Sequence, residues 1–226
     1  VKPLDPAMAT AFRKAVAEAG LGLVVAHDSY LINPASAEDT LHEKSIAGLV
    51  TELERADQLG IPWVVAHPGA AGEQDRAVAV QRAADGIAEA LKRTRNLSSG
   101  ILIETTAGQG SCLGDTFEEI AAMLKRIDRS KTLRDRVAVC LDTCHVFAAG
   151  YPLAPQAALD DTLQQFDAVI GLDRLKLIHA NDSKRECGAR VDRHEASGEG
   201  KIGGEAFKLL VNHPQLTGVP FLLETP

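Results

Sequence analysis

Six short apolar runs rich in β-branched residues punctuate the chain about every 40 residues. They are LGLVVAH (21–27), IPWVVAH (61–67), GILIETT (100–106), VAVCLDT (137–143), LKLIHAND (175–182) and VPFLLET (219–225). Between them lie amphipathic patterns of helical period, at 6–19, 39–59, 73–95, 116–129, 157–170 and 204–212. A strand buried on both faces reads as a near-continuous run of Val, Ile and Leu, as in parallel sheets covered by crossover helices. The chain is therefore expected to be α/β, built from repeated β/α units. Punctuation agrees: Asp5, Asp39 and Asp115 stand where helix N-caps belong, with Pro or Thr next. Gly20 and Gly60 stand where helices stop before strands.

The 226 residues, 45% hydrophobic and 24% charged, suit a single domain of α/β-barrel size spanning 1–226. No apolar run approaches the roughly 20 residues of a membrane span, and no leader pattern is evident. Of four cysteines, Cys112, Cys140, Cys144 and Cys187, the middle pair is spaced C-x3-C rather than as a C-x2-C redox motif. They are expected to be reduced thiols of a cytoplasmic protein.

Two architectures accommodate such alternation, an open doubly wound sheet and a (β/α)8 barrel. A dinucleotide-binding sheet would want G-x-G-x-x-G after its first strand; here AHDSYLIN follows. The barrel is favoured by the strand ends. The first run ends in His27, the second in His67, the third reaches Glu104 and the fourth Asp142, with His145 three residues on. The fifth carries His179, its loop carries Asp192 and His194 in ARVDRHEASGEG, and the sixth carries Glu224. An isolated D-x-H is ordinarily a polar turn, a lone histidine after a strand ordinarily a hydrogen-bonded loop residue, and Asp142 would serve as a helix cap. Nine such groups at six strand ends are different, because a barrel brings those ends to one face. Four clustered carboxylates without cations would cost several kcal/mol per unpaired charge. Imidazole nitrogen and carboxylate oxygen suit zinc or a similar divalent ion. The formal charge of −7 argues against a nucleic-acid partner, yet three divalent ions would bring it to −1.

The strings HDSYLIN, AHPGA, IETTAGQGS, LDTCHVFAAGY, IHANDSK and ARVDRHEASGEGKIG resemble, in order, the endonuclease IV family of zinc-dependent apurinic/apyrimidinic endonucleases. The resemblance runs from about residue 10 to the end. It implies a (β/α)8 TIM barrel, of which about six units are present, the first two β/α units and the last helix being absent from this sequence. It also implies three zinc ions, with Mn2+ or Fe2+ as substitutes. His27, His67 and Glu104 would hold the first. Glu104, Asp142, His179 and Glu224 would hold the second, and His145, Asp192 and His194 the third. The implied reaction is hydrolysis of the phosphodiester 5′ to abasic sites in double-stranded DNA by a metal-activated hydroxide, together with removal of 3′-blocking groups. Glu104, His179 and Glu224 would stand at its catalytic centre.

Tyr30 is similar to the tyrosine that family members push into DNA. Lys184, Arg185, Arg190 and Arg193 cluster in the loop after the fifth run and would suit a phosphate backbone. Gly108 and Gly110 would allow a tight turn or close approach of substrate. The loop after HPG is shorter than is usual in the family. Full-length relatives are expected to be monomers, whereas six strands in an open sheet expose two edges and invite association. A sugar isomerase or epimerase of the related barrel group is the alternative. It would need only about four ligands and no His145–Asp192–His194 group. A non-catalytic metal-binding remnant is a third reading.

Overall fold

The computed structural model describes residues 3–224. In chain order the elements are α1 (Pro6–Glu18), β1 (Val25–His27), α2 (Asp39–Leu59), β2 (Trp63–Ala66), α3 (Arg76–Arg93), β3 (Gly100–Glu104), α4 (Phe117–Ile127), α5 (Lys131–Arg134) and β4 (Val137–Asp142). There follow α6 (Thr143–Ala149), α7 (Gln156–Val169), β5 (Leu175–His179), β6 (Asp182–Ser183), β7 (His194–Glu195), α8 (Gly204–Val211) and β8 (Phe221–Leu222). Among the described residues, the main sheet is six-stranded with the order β1-β2-β3-β4-β5-β8, and every pairing is parallel. Each strand lies beside its predecessor. A doubly wound sheet reverses its order at a switch point; this one does not, and it is the wall of a barrel. The strands β6 and β7 form a separate antiparallel hairpin. No helix among the described residues is long and apolar enough to cross a membrane.

Strand alternation divides the core in two. The outer face of the sheet, with Ile101, Ile103, Val137, Val139, Leu141 and Ile178, packs against helical residues such as Leu49, Leu53, Ile87, Leu91, Ile120 and Leu163. The inner face gathers Val65, Leu102, Ala138, Cys140 and Leu177. Leu23 and Val25 from one edge and Leu222 from the other pack on this same inner cluster, so the sheet is curved. At the amino end of the sheet, Arg136 donates to the carbonyls of Leu91, Thr94 and Ser99, closing the carboxyl end of α3.

The punctuation is partly as expected. Asp5 caps α1 through Ala7 N–H at 2.9 Å, and Gly60 ends α2 in the left-handed region with φ 71°. Gly20, φ 63°, lies one residue past the α1 cap Ala19. Asp39 is not a cap: Glu38 holds that place without a side-chain bond, and Asp39 instead pairs with Arg82 at 2.5 Å. Asp115 is not a cap either. Thr116 caps α4 by accepting from Glu119 N–H, and Asp115 is buried against Arg76 and Arg190. The expected start of the 73–95 helix shifts to Arg76 because Asp75 accepts from Val78 N–H and fixes the cap there. The first and last strands are shorter than their apolar runs. Each is an edge strand with one neighbour, and ladder bonds form only where that neighbour stands opposite. Thr225, at the end of the 219–225 run, lies outside the described residues.

Candidate metal centre

The inward-facing rows explain why the polar residues converge. Along β1 the row runs Leu23, Val25, His27; along β2 it runs Trp63, Val65, His67. On β3, Leu102 leads to Glu104; on β4, Ala138 and Cys140 lead to Asp142; on β5, Leu177 leads to His179; and Leu222 leads to Glu224. Each strand places an apolar residue inside and, two positions later, a metal-type donor at its carboxyl end. The parallel registers bring these ends together with a stagger: Asp142 lies opposite His179, whereas Glu104 lies opposite Cys140 and His27 opposite Val65, each two residues short of the neighbouring donor.

Among the described residues the nine expected donors make up three of five groups whose ligand atoms lie within 4.8 Å of one another: His27, His67 and Glu104; Glu104, Asp142, His179 and Glu224; His145, Asp192 and His194; the other two add a cysteine, Cys140 or Cys144. Glu104 belongs to two of the first three and divides its oxygens. Its Oε2 lies 2.9 Å from His27 Nε2 and 3.0 Å from His67 Nε2, while its Oε1 lies 2.8 Å from His179 Nδ1. His179 Nδ1 is also 3.0 Å from Glu224 Oε2. In the third group Asp192 lies 3.2 Å from His145 Nε2 and 3.3 Å from His194 Nε2, and these two ring nitrogens face each other at 3.4 Å. Cys140 and Cys144 are buried just beneath, Cys140 beside Glu104 and His179, Cys144 beside Asp142 and His194.

Neighbouring groups aim the rings. His27 Nδ1 lies 3.0 Å from the Asp28 carbonyl and His145 Nδ1 lies 2.8 Å from the Thr105 carbonyl, so each donates there and turns Nε2 toward the cluster. Asp142 has two tasks. Its Oδ1 caps α6 by accepting from His145 N–H at 2.8 Å, and its Oδ2 accepts from the Asn181 amide at 2.6 Å. Asn181 also accepts from Glu224 N–H at 2.8 Å, tying the last strand to the fifth.

The electrostatics show a centre that draws in positive charge. Burial disfavours the imidazolium of His27, yet hydrogen bonds with Asp28 and Glu104 override it and bring the ring to about 11. Burial is likewise overridden at His145, about 10 through Asp142, Asp192 and Glu104, and at His179, about 9 through Glu104 and Glu224. Burial alone would raise Glu104, but four histidines hold it well below the usual carboxylate range. Burial raises Asp142 and Asp28. Asp28 Oδ2 is buried without a hydrogen-bond partner. A carboxylate-rich cluster whose charge is met by imidazolium, with ring nitrogens turned toward one another, is the donor chemistry of a divalent-metal centre.

The whole chain, residues 1–226, matches the family described as the xylose isomerase-like TIM barrel. A probable endonuclease 4 of Chloroflexus aurantiacus is 45% identical over 225 residues, covering 100% of this chain and 78% of the relative. The chain belongs to the endonuclease IV family. The crystal structure of endonuclease IV from Thermus thermophilus superposes with a TM-score of 0.84 at 38% identity, covering 100% of this chain and 77% of that one. A D-tagatose 3-epimerase-like protein gives a TM-score of 0.73 at 20% identity, over 97% of this chain and 76% of the other, and shares the fold.

The candidate DNA-facing residues of this family member are less uniform. Tyr30, 90% exposed, stands in the loop after β1 beside exposed Leu31. Arg190, φ 54°, is bound to buried Asp115 at 2.5 Å. Arg193 donates to the Asp192 carbonyl, and Lys184 lies 3.9 Å from Glu195. Arg185 is exposed. Gly108, φ 70°, serves a turn packed on the Asp115 carboxylate, where a Cβ would come within 2.6 Å of Oδ2. Reading the sequence missed Asn181, Gln109, whose side-chain oxygen accepts from Asp192 N–H at 2.9 Å, and Asp182. The signal for two of them was present: Asn181 and Asp182 are polar residues directly after a buried strand. A cleft of about 170 Å³ opens beside the third group, lined by His67, Thr106, Gln109, Cys112, His145 and Asp192, among others.

Proposed function

We propose that this chain is a DNA-repair nuclease that hydrolyses the phosphodiester 5′ to abasic sites in double-stranded DNA, and removes 3′-blocking groups, with three zinc ions. The observation that carries the reading is the third donor group. A sugar epimerase would use donors such as those around Glu104 and leave His145, Asp192 and His194 without a task. Here those three face one another across 3.2–3.4 Å beside an open cleft.

His27, His67 and Glu104 would hold one ion, Glu104, Asp142, His179 and Glu224 a second, and His145, Asp192 and His194 a third. Zinc suits these donors, and Mn2+ or Fe2+ would be tolerated. Bound ions supply Lewis acidity toward phosphoryl oxygens and lower the pKa of water. The chain's own residues then set geometry. Glu104 spans two groups with separate oxygens. Asn181 steadies Asp142 and approaches Glu224. The Thr105 and Asp28 carbonyls hold two imidazoles in one tautomer. Glu104, His179 and Glu224, at the junction of the groups, are assigned to the catalytic centre. Tyr30, Lys184 and Arg193 are assigned to the DNA side, where cations would meet phosphates and an exposed ring would stack near the lesion. Arg190, expected there from the sequence, is assigned instead to holding its loop through Asp115.

The test pairs elemental analysis of the purified protein with cleavage of a duplex carrying one abasic site. About three ions per chain and a cut 5′ to the lesion are expected, lost on chelation and restored by zinc. A protein that holds three ions and leaves abasic duplex intact would sink the assignment.

A further inference from the structure

We infer that Asp182 is a positioning residue, whose buried carboxylate folds the loop bearing Asp192 and His194 into place before any ion arrives. The inference rests on the third-ion reading for its purpose. Its geometry stands apart from that reading.

Asp182 is fully buried at the foot of the hairpin. Its carboxylate accepts from five backbone N–H groups. Oδ1 takes Ser183 at 2.7 Å and Ile202 at 2.8 Å; Oδ2 takes Gly198 and Gly200 at 3.0 Å each and Gly203 at 3.1 Å. Four of the five come from SGEGKIGG, residues 197–204, the segment after His194. Gly203 is the N-cap of α8, so the carboxylate also sits at the positive end of that helix. Converging backbone N–H groups normally form a nest for an external anion. Here the chain supplies its own. Backbone packs so closely that a Cβ on Gly200 would come within 2.5 Å of Asp182 Oδ1 and of the Ser183 carbonyl. Gly200 does not occupy the left-handed region; it is required by the carboxylate and not by its own backbone conformation.

The link to the donors is short. Asp182 pairs with Glu195, and Ser183 with His194, across the hairpin. Lys201 N–H donates to the Ser183 carbonyl at 2.7 Å and Lys184 N–H to the Arg193 carbonyl at 2.9 Å. The carboxylate thus fastens the loop's far end to the strand that leaves His179. Asp192 and His194 lie between the two fixed points.

The test uses the full chain, wild type against Asp182→Asn, which keeps the shape and turns an NH2 toward amide donors. Gly200→Ala is the second variant, which leaves the charge and removes the space. Trypsin acting on chelated protein reads the loop directly, because Lys184, Arg185, Arg190, Arg193 and Lys201 are all sites. Both variants are expected to be cut between 184 and 201 at least tenfold faster, and to bind the third zinc at least tenfold more weakly while keeping the other two. Leu163→Ala, buried in the outer core, lowers overall stability without touching the loop, and is expected to keep three ions and the slow cut. Unchanged cutting in Asp182→Asn and Gly200→Ala, or the same acceleration in Leu163→Ala, overturns the inference. If the wild type binds fewer than three ions, the metal reading fails by itself, and the metal-free cutting rates still decide the role of Asp182.

Discussion

Nδ1 of His179 lies 2.8 Å from Oε1 of Glu104, while the other oxygen of Glu104 serves His27 and His67. One side chain on β3 therefore couples donors from β1, β2 and β5, and its removal must be felt by two groups at once. Glu104→Ala is expected to lower bound metal from about three ions to about one. His194→Ala should cost a single ion. Elemental analysis of both variants separates the outcomes; equal losses would show that Glu104 does not bridge.

Metal loading should release protons. His27, His145 and His179 are brought to about 11, 10 and 9 by their carboxylates, so the metal-free rings are charged at neutral pH. A ligating imidazole must be neutral. Affinity is therefore expected to rise with pH by up to about tenfold per unit for each proton displaced, and calorimetry in buffers of different ionisation enthalpy should report that release. In the chelated protein the same raised values stabilise the fold below the unfolded histidine pKa of about 6.5, and this stability is lost as pH climbs through 9 to 11. Saturation at a thousandfold over Kd adds about 4 kcal/mol per site. The loaded protein should melt at least about 8 °C higher than the chelated one, at roughly 2–4 °C per kcal/mol for this size. Loading without proton release, or identical melting, contradicts the expectation.

Stability and site chemistry are separable at the amino end of the sheet. Arg136 donates to three backbone carbonyls and to Thr94 Oγ1, and burial lowers its pKa, since its direct partners are neutral. Arg136→Ala takes the side-chain donor from the Ser99 carbonyl and one donor each from Leu91 and Thr94, whose carbonyls keep Thr94 Oγ1 and Leu97 N–H. The expected cost is about 1–3 kcal/mol, or about 2–12 °C in melting temperature. Metal content should stay at the wild-type value. A loss of ions would mean that the two ends of the barrel are coupled.

What the sequence reveals follows from what each signal encodes. Parallel strands at β2, β3, β4 and β5 are legible because burial on both faces requires apolar residues at each position. The convergence of His27, His67, Glu104, Asp142, His179 and Glu224 is legible for the same reason, since a polar residue ending such a run stands out. The hairpin of β6 and β7 is not. Its two-residue strands carry no period, and it exists because Asp182 gathers amide groups up to 21 residues downstream. Asp115 reads as a cap in the sequence because it is a polar residue before a helix, whereas its real partners, Arg76 and Arg190, lie 39 and 75 residues away. Only tertiary placement distinguishes a cap from a buried ion pair.

That distinction sorts the basic loop. Arg193 and Tyr30 have exposed side chains beside the cleft and the strand ends, and Arg190 is committed to Asp115. A cation that meets a phosphate releases counterions, so its loss lowers the slope of log affinity against log salt by about 1. Arg193→Ala is expected to do this on abasic duplex, with melting temperature and metal content unchanged. Tyr30→Ala should weaken lesion binding without altering the slope, because stacking carries no charge. Arg190→Ala should behave differently, since Asp115, 4% exposed, would lose one of its two cations. Destabilisation of about 1–3 kcal/mol is expected there. Of the two side-chain ties between the loop after β3 and the loop that carries Asp192, Arg190–Asp115 and Gln109–Asp192, the second alone would remain. Salt titrations of binding, read beside thermal melts of the three variants, decide the matter: a slope change at Arg190 with no loss of stability would place that side chain on DNA and not on Asp115.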